Sequence, residues 1–325
     1  MTGLLSIVIV SYNTRQRTLA CLASIREHAP AVPVEVVVVD NGSSDGSLEA
    51  IRTAGTATVV VDAGENLGFA RGVNRGVDLS SGDAVLLLNP DTVVLAGALD
   101  ALVDFARAHP EHGVYGGRTL RADGGVDPSS CWGEPTLWSL TSFALGLSTA
   151  FRSSIVFDPE SLGRWERDTV REVPIITGCL LLVTRALWDR LGGMDERFFL
   201  YGEDADFSLR ARRAGQRPVV VPDAEIVHEV GASTESSGLK MCMVMAGKAT
   251  LLRRGWTPWR ARVGVVLLQV GSGLRAGLER LRGGKPAWRI VWERRADWRA
   301  GYPHAEAAIF GRAAAGSSVV DAARA

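Results

Sequence analysis

Two carboxylates stand where a fold most readily builds chemistry. Asp91 follows the aliphatic run Val85-Leu86-Leu87-Leu88 and the breaker Asn89-Pro90, and Asp40 closes the run Val34-Glu35-Val36-Val37-Val38-Val39. Such runs read as strands buried on both faces, as in a parallel sheet covered by helices. Pro90 has no N–H for a ladder, so its strand ends there and Asp91 falls just past the carboxyl end, where open α/β sheets bind ligands. An aspartate at such a point also serves as a turn former or cap. Between the two lies Asn66-Leu67-Gly68-Phe69-Ala70-Arg71-Gly72-Val73-Asn74-Arg75-Gly76, whose glycines and arginines can bring backbone and guanidinium close to phosphate. Two further candidates come later: the acidic cluster Gly202-Glu203-Asp204-Ala205-Asp206, and His228 after Ile226-Val227. By residue type alone the acids are helix N-terminal caps and the histidine a core residue.

The elements that position these groups follow from pattern. Residues 4–10 form a first aliphatic strand that delivers Ser11, Tyr12 and Asn13 to the sheet's carboxyl edge, and Leu19, Leu22 and Ile25 recur at helical spacing before Pro30. Strand 34–39, a short helix over 48–52, strand 58–61, strand 85–88 and a helix over 96–108 continue the alternation. Alternating strands and helices imply right-handed crossovers and a mainly parallel sheet. Its carboxyl edge gathers Tyr12, Asp40, Arg71 and Asp91. A strand at 113–116 follows, and then 118–172 loses clear periodicity among Trp132, Trp138 and Trp165. Residues 175–183 read as one further buried strand containing Gly178, followed by helices over 185–191 and 204–214 and a strand over 217–221.

Composition sets the bounds. The chain has 325 residues, 46% hydrophobic and 22% charged, which is ordinary for a globular protein, and its formal net charge is zero. No whole-chain charge argument for nucleic acid exists. The charge is nevertheless uneven: residues 246–300 hold thirteen Lys/Arg and three acids, 13 − 3 = +10, so the remainder carries −10. Cys21, Cys131, Cys179 and Cys242 form no CxxC pair, and free thiols in a reducing cytoplasm are the expectation. No signal peptide is read at the N-terminus. The uncharged stretch from Val263 to Leu274 has twelve residues, short of the about 20 that cross a bilayer as a helix.

Val10-Ser11-Tyr12-Asn13, Val39-Asp40-Asn41-Gly42-Ser43-Ser44-Asp45-Gly46, the segment Asn66 to Gly76 and Asn89-Pro90-Asp91-Thr92 resemble, in order and spacing, the family 2 glycosyltransferases of the GT-A fold. The nearest likeness is to the rhamnosyltransferase-like branch that builds bacterial surface polysaccharides, and it covers about residues 4–235. The resemblance implies an inverting transfer of a sugar from a nucleotide diphosphate donor, dTDP-rhamnose or a UDP-sugar, to a hydroxyl of a glycan or polyprenyl-linked acceptor. It implies a nucleotide-sugar site of Ser11, Tyr12, Asn13, Asp40, Asn41, Gly68, Arg71, Asn74, Asn89 and Asp91. Tyr12 would pack on the base, Asp40 accept from a pyrimidine imide N–H, and Arg71 contact base or phosphate. Asn89-Pro90-Asp91 stands for the family's DxD element, so Asp91 would share a Mg2+ or Mn2+ ion with His228, which matches the family's His-x-x-Gly-x-Ser. Asn89 in the first place removes one charge from that element. Glu203-Asp204 matches the ED motif, with Asp204 as general base, Glu203 positioning it or the acceptor, and Gly178 letting the acceptor approach.

These readings divide the chain into a catalytic domain over 1–238, with a nucleotide half over 1–116 and an acceptor half over 117–238, then a basic amphipathic helical region over 239–310 and a disordered tail over 311–325. Tryptophans and leucines at three- and four-residue steps among arginines in the helical region suit a peripheral contact on the inner face of the plasma membrane, or packing on the catalytic domain. Self-association stays open. Rival readings are a catalytically silent scaffold subunit and another nucleotide-sugar enzyme, while a dinucleotide dehydrogenase is disfavoured because no GxGxxG follows the first strand.

Overall fold

The structure is a computed structural model and describes residues 3–228, 237–283 and 286–310. The first half runs β1 (Leu5–Ser11), α1 (Arg15–Glu27), β2 (Val34–Asp40), α2 (Ser47–Ala54), β3 (Val59–Asp62), α3 (Phe69–Asp78), β4 (Ala84–Leu88), β5 (Thr92–Val94), α4 (Ala98–Ala108) and β6 (Val114–Leu120). The second half adds β7 (Cys131–Trp132), α5 (Leu137–Ala144), α6 (Leu147–Ala150), β8 (Arg171–Glu172), β9 (Ile175–Ile176), β10 (Leu180–Thr184), α7 (Arg185–Leu191), α8 (Glu203–Arg213) and β11 (Val219–His228). The main sheet has the order β3-β2-β1-β4-β10-β6-β11-β5, with β8 also on β11. β1, β2, β3 and β4 pair in parallel, β10 runs antiparallel between β4 and β6, and β6 is parallel to β11.

Alternation along β1 shows why the expected aliphatic runs form strands. Ile7 and Ile9 join a core with Cys21, Leu22 and Ile25 of α1, while Val8 and Val10 join a second core with Ala70, Val73 and Val77 of α3. Both faces of the sheet are thus covered by helices, and a strand with no polar alternation is satisfied on each side. The glycine-rich segment expected to bring backbone and guanidinium close to phosphate is mostly helix α3. Gly72 and Gly76 lie against Val10 and Val8, so they allow the helix to approach the sheet closely, which offsets glycine's low helix propensity.

Two strands differ from expectation. The run over 175–183 is divided at Thr177-Gly178 into β9 and β10, and β9 leaves the main sheet to pair with β7. β11 reaches from Val219 to His228, carried past Pro222 by a register shift between Val221 and Glu225. Proline cannot donate to a ladder, and a bulge is where a strand tolerates it. Gly117 of β6 faces this bulge: a Cβ there would overlap the Ala224 carbonyl oxygen.

The C-terminal region is helical, with α9 (Ser237–Gly255), α10 (Pro258–Arg282), α11 (Ala287–Glu293), α12 (Arg295–Trp298) and α13 (His304–Phe310). Its core of Cys242, Met245, Leu252, Leu268, Trp298 and Tyr302 is shared with Leu140, Phe198 and Phe199 from the preceding part of the chain. The expected division near residue 238 therefore crosses a continuous apolar core. The expected tail at 311–325 lies outside the described residues. All four cysteines are free and buried. Among the described residues no helix is long and apolar enough to cross a membrane.

Replacing Gly117 with Ala forces the bulge of β11 to move. The expected outcome is a loss of about 1–3 kcal/mol in stability by urea denaturation, and a parent-like unfolding midpoint contradicts this close approach.

Candidate functional site

β5 and β11 are antiparallel, and their register places Thr92 opposite His228. Asp91, one residue before Thr92, therefore meets the imidazole, with His228 Nε2 3.2 Å from Asp91 Oδ1. On its other side His228 Nδ1 lies 3.7 Å from Asp127 Oδ2. Asp127 is buried at the head of a single 3-10 turn, where its Oδ1 accepts the Ser129 N–H at 3.0 Å. Asp127 Oδ2 and His228 Nδ1 make no hydrogen bond among the described residues. Burial works against charge on His228, but Asp127 and then Asp91 outweigh it and raise the imidazole to about 9. Burial likewise opposes the Asp127 charge, and His228 with Ser129 holds that carboxyl below its usual range.

The second acidic group stands at the start of α8, capped by Gly202 in a left-handed conformation at φ 104°. Asp204 Oδ2 accepts the Gly178 N–H at 3.1 Å and Oδ1 accepts the Ala205 N–H at 2.7 Å. Burial raises the Asp204 carboxyl, and these two N–H groups act in the opposite direction. Gly178 faces the Phe69 ring, 2.9 Å from where a Cβ would stand, so it has a packing reason as well. Glu203 differs from its neighbour: it is 4% exposed and its Oε2 has no hydrogen-bond partner among the described residues. Burial, with the Asp204 charge adding to it, pushes Glu203 up to about 8.

The two groups meet around the end of β10. The Cys179 carbonyl accepts from the Asn89 N–H at 3.3 Å, beside Asp91, and Cys179 follows Gly178, which holds Asp204. Burial raises the Cys179 thiol to about 11, and the charges of Asp204 and Asp127 reach it in the same direction. The three expected side chains Asp91, Asp204 and His228 thus border one region of the sheet edge. Asp127, which sequence reasoning left unassigned, joins them. A cavity of about 650 Å3 elsewhere, lined by Glu134, Glu172, Arg212 and Arg217, contains none of them.

The expected nucleotide residues fall into two sets. Asp40 is 1% exposed, with Oδ1 accepting the Ser43 N–H at 2.9 Å and Oδ2 without a partner among the described residues. The adjacent Asn41 donates from Nδ2 to the Gly68 carbonyl at 2.9 Å, and its Oδ1 likewise has no partner among them. Asn13, at φ 52°, accepts the Ser44 N–H on Oδ1 and donates its own N–H to Ser43, tying the turns after β1 and β2 together. Tyr12 is half-buried beside it. Other members are committed within the fold. Ser11 is buried in a hydroxyl cluster with Thr14 and Thr18. Asn74 bonds the backbone of Met194 with both ends of its amide. Gly68 packs on the Phe199 carbonyl. Arg71, expected on base or phosphate, is held by Glu306 of α13 through two hydrogen bonds of 3.3 and 2.8 Å and by the Glu196 carbonyl at 3.3 Å.

A covered, mainly parallel sheet with carboxylates and a histidine gathered at one edge is the arrangement of a nucleotide-diphospho-sugar transferase of the GT-A fold. The family model for glycosyl transferase family 2 matches residues 6–158. An N-acetylglucosaminyl-diphospho-decaprenol L-rhamnosyltransferase of Mycobacterium tuberculosis is 32% identical over 252 residues, 72% of this chain and 78% of its own length. Among solved structures, the mannosyltransferase of Pyrobaculum calidifontis in complex with GDP-Man and Mn2+ aligns with a TM-score of 0.54 at 20% identity, over 95% of this chain and 88% of its own. TarS of S. aureus in complex with UDP aligns with a TM-score of 0.52 at 18% identity, over 90% and 79%. The chain belongs to the family 2 glycosyltransferases, in their rhamnosyltransferase-like branch, and is a glycosyltransferase.

Glu203 gives a pH test of this geometry. The folded chain keeps a proton on Glu203 that the unfolded chain releases above its ordinary value of 4.5, so the stability this group contributes is full below that value and lost as pH rises through about 8. Glu203→Gln removes the dependence. Its melting temperature relative to the parent is expected to rise between pH 6 and pH 9 in thermal denaturation, and an unchanged difference contradicts a buried, proton-holding Glu203.

Proposed function

We propose that this glycosyltransferase moves a rhamnosyl group, with inversion, from a pyrimidine nucleotide diphosphate donor such as dTDP-rhamnose to a hydroxyl of a polyprenyl-linked glycan. The observation that carries the sugar and acceptor is the 32% identity, over 72% of the chain, to a relative whose name specifies L-rhamnosyl transfer to N-acetylglucosaminyl-diphospho-decaprenol.

The chain's own groups have distinct tasks in this reading. Asp40 Oδ2, buried and without a partner, would accept the imide N–H of the base, which costs a buried carboxylate less than staying unpaired. Tyr12 lies against the base from the rim. Asp204 is the general base: it takes the proton of the acceptor hydroxyl as that oxygen attacks the anomeric carbon. The bond from that carbon to the diphosphate oxygen breaks on the opposite face, the nucleoside diphosphate departs, and no covalent enzyme intermediate forms. Glu203 positions Asp204 or the acceptor, and Gly178 keeps its side of the acceptor approach free of a side chain.

Asp91 and His228 suit a divalent cation such as Mg2+ or Mn2+. Their oxygen and nitrogen already stand 3.2 Å apart, a separation at which two groups can bind one small ion. The bound ion would neutralise the charge that develops on the leaving diphosphate. Asp127 Oδ2 lies 3.7 Å from the other ring nitrogen of His228, the side from which carboxylates orient metal-binding histidines, and a small approach would let it fix tautomer and ring orientation.

Three measurements test this. Donor turnover across a panel of nucleotide sugars, with and without EDTA, is expected to be fastest with dTDP-rhamnose and suppressed by EDTA. Equal turnover of purine-linked donors refutes the role of Asp40. Asp204→Asn is expected to lose about 1,000-fold or more in kcat while its affinity for the nucleoside diphosphate stays within about twofold of the parent. Asp127→Asn is expected to weaken Mn2+ binding about 10–100-fold in a direct spectroscopic titration. Unchanged Mn2+ affinity in that variant removes Asp127 from the site.

A further inference from the structure

Helix α10 is apolar on two opposite faces. One face, with Ala261, Val265, Leu268 and Ala276 at most 5% exposed, packs into the C-terminal core. On the other, Trp259, Val263, Val266, Val270, Leu274 and Leu278 are 63%, 42%, 53%, 50%, 42% and 40% exposed. They recur at steps of four, three, four, four and four residues, so at about 100° per residue they form a single ridge. Leu281, 85% exposed, extends it by one more turn. A helix facing only its own core and water would carry polar residues along this line.

The ridge does not end at the helix. Arg275 of α10 donates to the Phe143 carbonyl and to Thr149 Oγ1, both at 2.7 Å, and Leu274 lies against Gly146. These contacts clamp the corner between α5 and α6 to the ridge. That corner and the loop after it expose Leu145 at 62%, Phe151 at 52% and Ile155 at 75%. The two elements, joined by these contacts, together expose ten large apolar side chains, more than the scattered single residues normal on a soluble face.

Charge selects what covers it. α10 carries five arginines and one glutamate, 5 − 1 = +4, and Arg262, Arg280 and Arg282 are exposed. The surrounding segment 246–300 carries +10 against −10 for the rest of the chain. A second copy docking through the same face would set like charges against each other. A nucleic acid would satisfy the arginines and leave the ridge in water. We propose that the α10 ridge and the α5–α6 corner dock on an anionic phospholipid bilayer, with the apolar side chains at the acyl boundary and the arginines on the headgroups. No described helix is long and apolar enough to cross such a bilayer. The placement suits a lipid-linked acceptor but rests on this surface alone.

Flotation of the full-length chain with phosphatidylcholine vesicles, with and without phosphatidylglycerol, tests the proposal. The parent is expected to float with the anionic vesicles and to bind neutral ones about tenfold or more weakly. The double variant Val266→Glu, Val270→Glu is expected to lose about tenfold or more of that binding while keeping the parent's melting temperature and its turnover of a soluble donor. Parent protein that fails to float, or a double variant that floats like the parent, overturns the proposal. So does a parent that sediments as a dimer, becomes monomeric in the double variant and binds no vesicles, which would assign the ridge to a second copy. Because donor turnover is read separately, a wrong donor assignment leaves the lipid result standing.

Discussion

The pairing of β5 with β11 is the constraint on which the site depends. Asp91 and His228 are 137 positions apart in sequence, yet the ladder that sets Thr92 opposite His228 leaves their side chains no other neighbourhood. Side chains alternate along a strand, so a slip of one residue would turn His228 to the other face. The phase of β11 is in turn set upstream, by the bulge between Val221 and Glu225 and by the missing side chain at Gly117 that makes room for it. Bulges recur beside active sites because they re-aim one side chain without disturbing the sheet. Here that side chain is the imidazole that sits between Asp91 and Asp127.

Glu203 and Asp204 are buried neighbours with different hydrogen-bond partners. Both lose water, which favours their neutral forms. Asp204 is compensated by two backbone N–H groups, and hydrogen bonds to a charged acceptor are worth roughly 1.5–3 kcal/mol each. Glu203 Oε2 has none, and its neighbour's charge adds to the cost of ionising it. Burial raises both carboxyls, Asp204 against two backbone N–H groups and Glu203 with the Asp204 charge adding to the rise. The break between β9 and β10 matters here, since a continuous strand through Gly178 would commit its N–H to a ladder and not to Asp204.

How much of this was legible in the sequence depends on how local each cause is. The strands ending at Asp40 and Asp91 could be read because their aliphatic runs and terminating residues lie within ten positions of one another. α8 and α7 were readable from glycine stops. α3 was not, because the compensation for Gly72 and Gly76 comes from Val10 and Val8 of another element. Asp127 was invisible for a different reason: Asp-Pro-Ser is an ordinary capping sequence, and it does cap, while the second carboxylate oxygen faces a histidine 101 positions later. Arg71 looked like a free phosphate ligand because nothing near it hints at Glu306.

That last pair also bears on where the functional unit ends. The family model stops at residue 158 and so includes Asp40, Asp91 and Asp127 but neither Asp204 nor His228. Beyond His228 the helices continue to bear on the site. Lys248 of α9 bonds Glu160 at 2.7 Å, Arg254 bonds Asp206 of α8 at 3.2 Å, and Tyr302 bonds the Leu200 carbonyl at 2.8 Å just before Glu203. Glu306 is 2% exposed, and its bidentate grip on Arg71 joins the last described helix to the nucleotide half. An exposed ion pair contributes little, but one with both partners withdrawn from water is costly to break. The segment with the least family character is therefore a structural part of the catalytic unit, buttressing α8 on one side and α3 on the other.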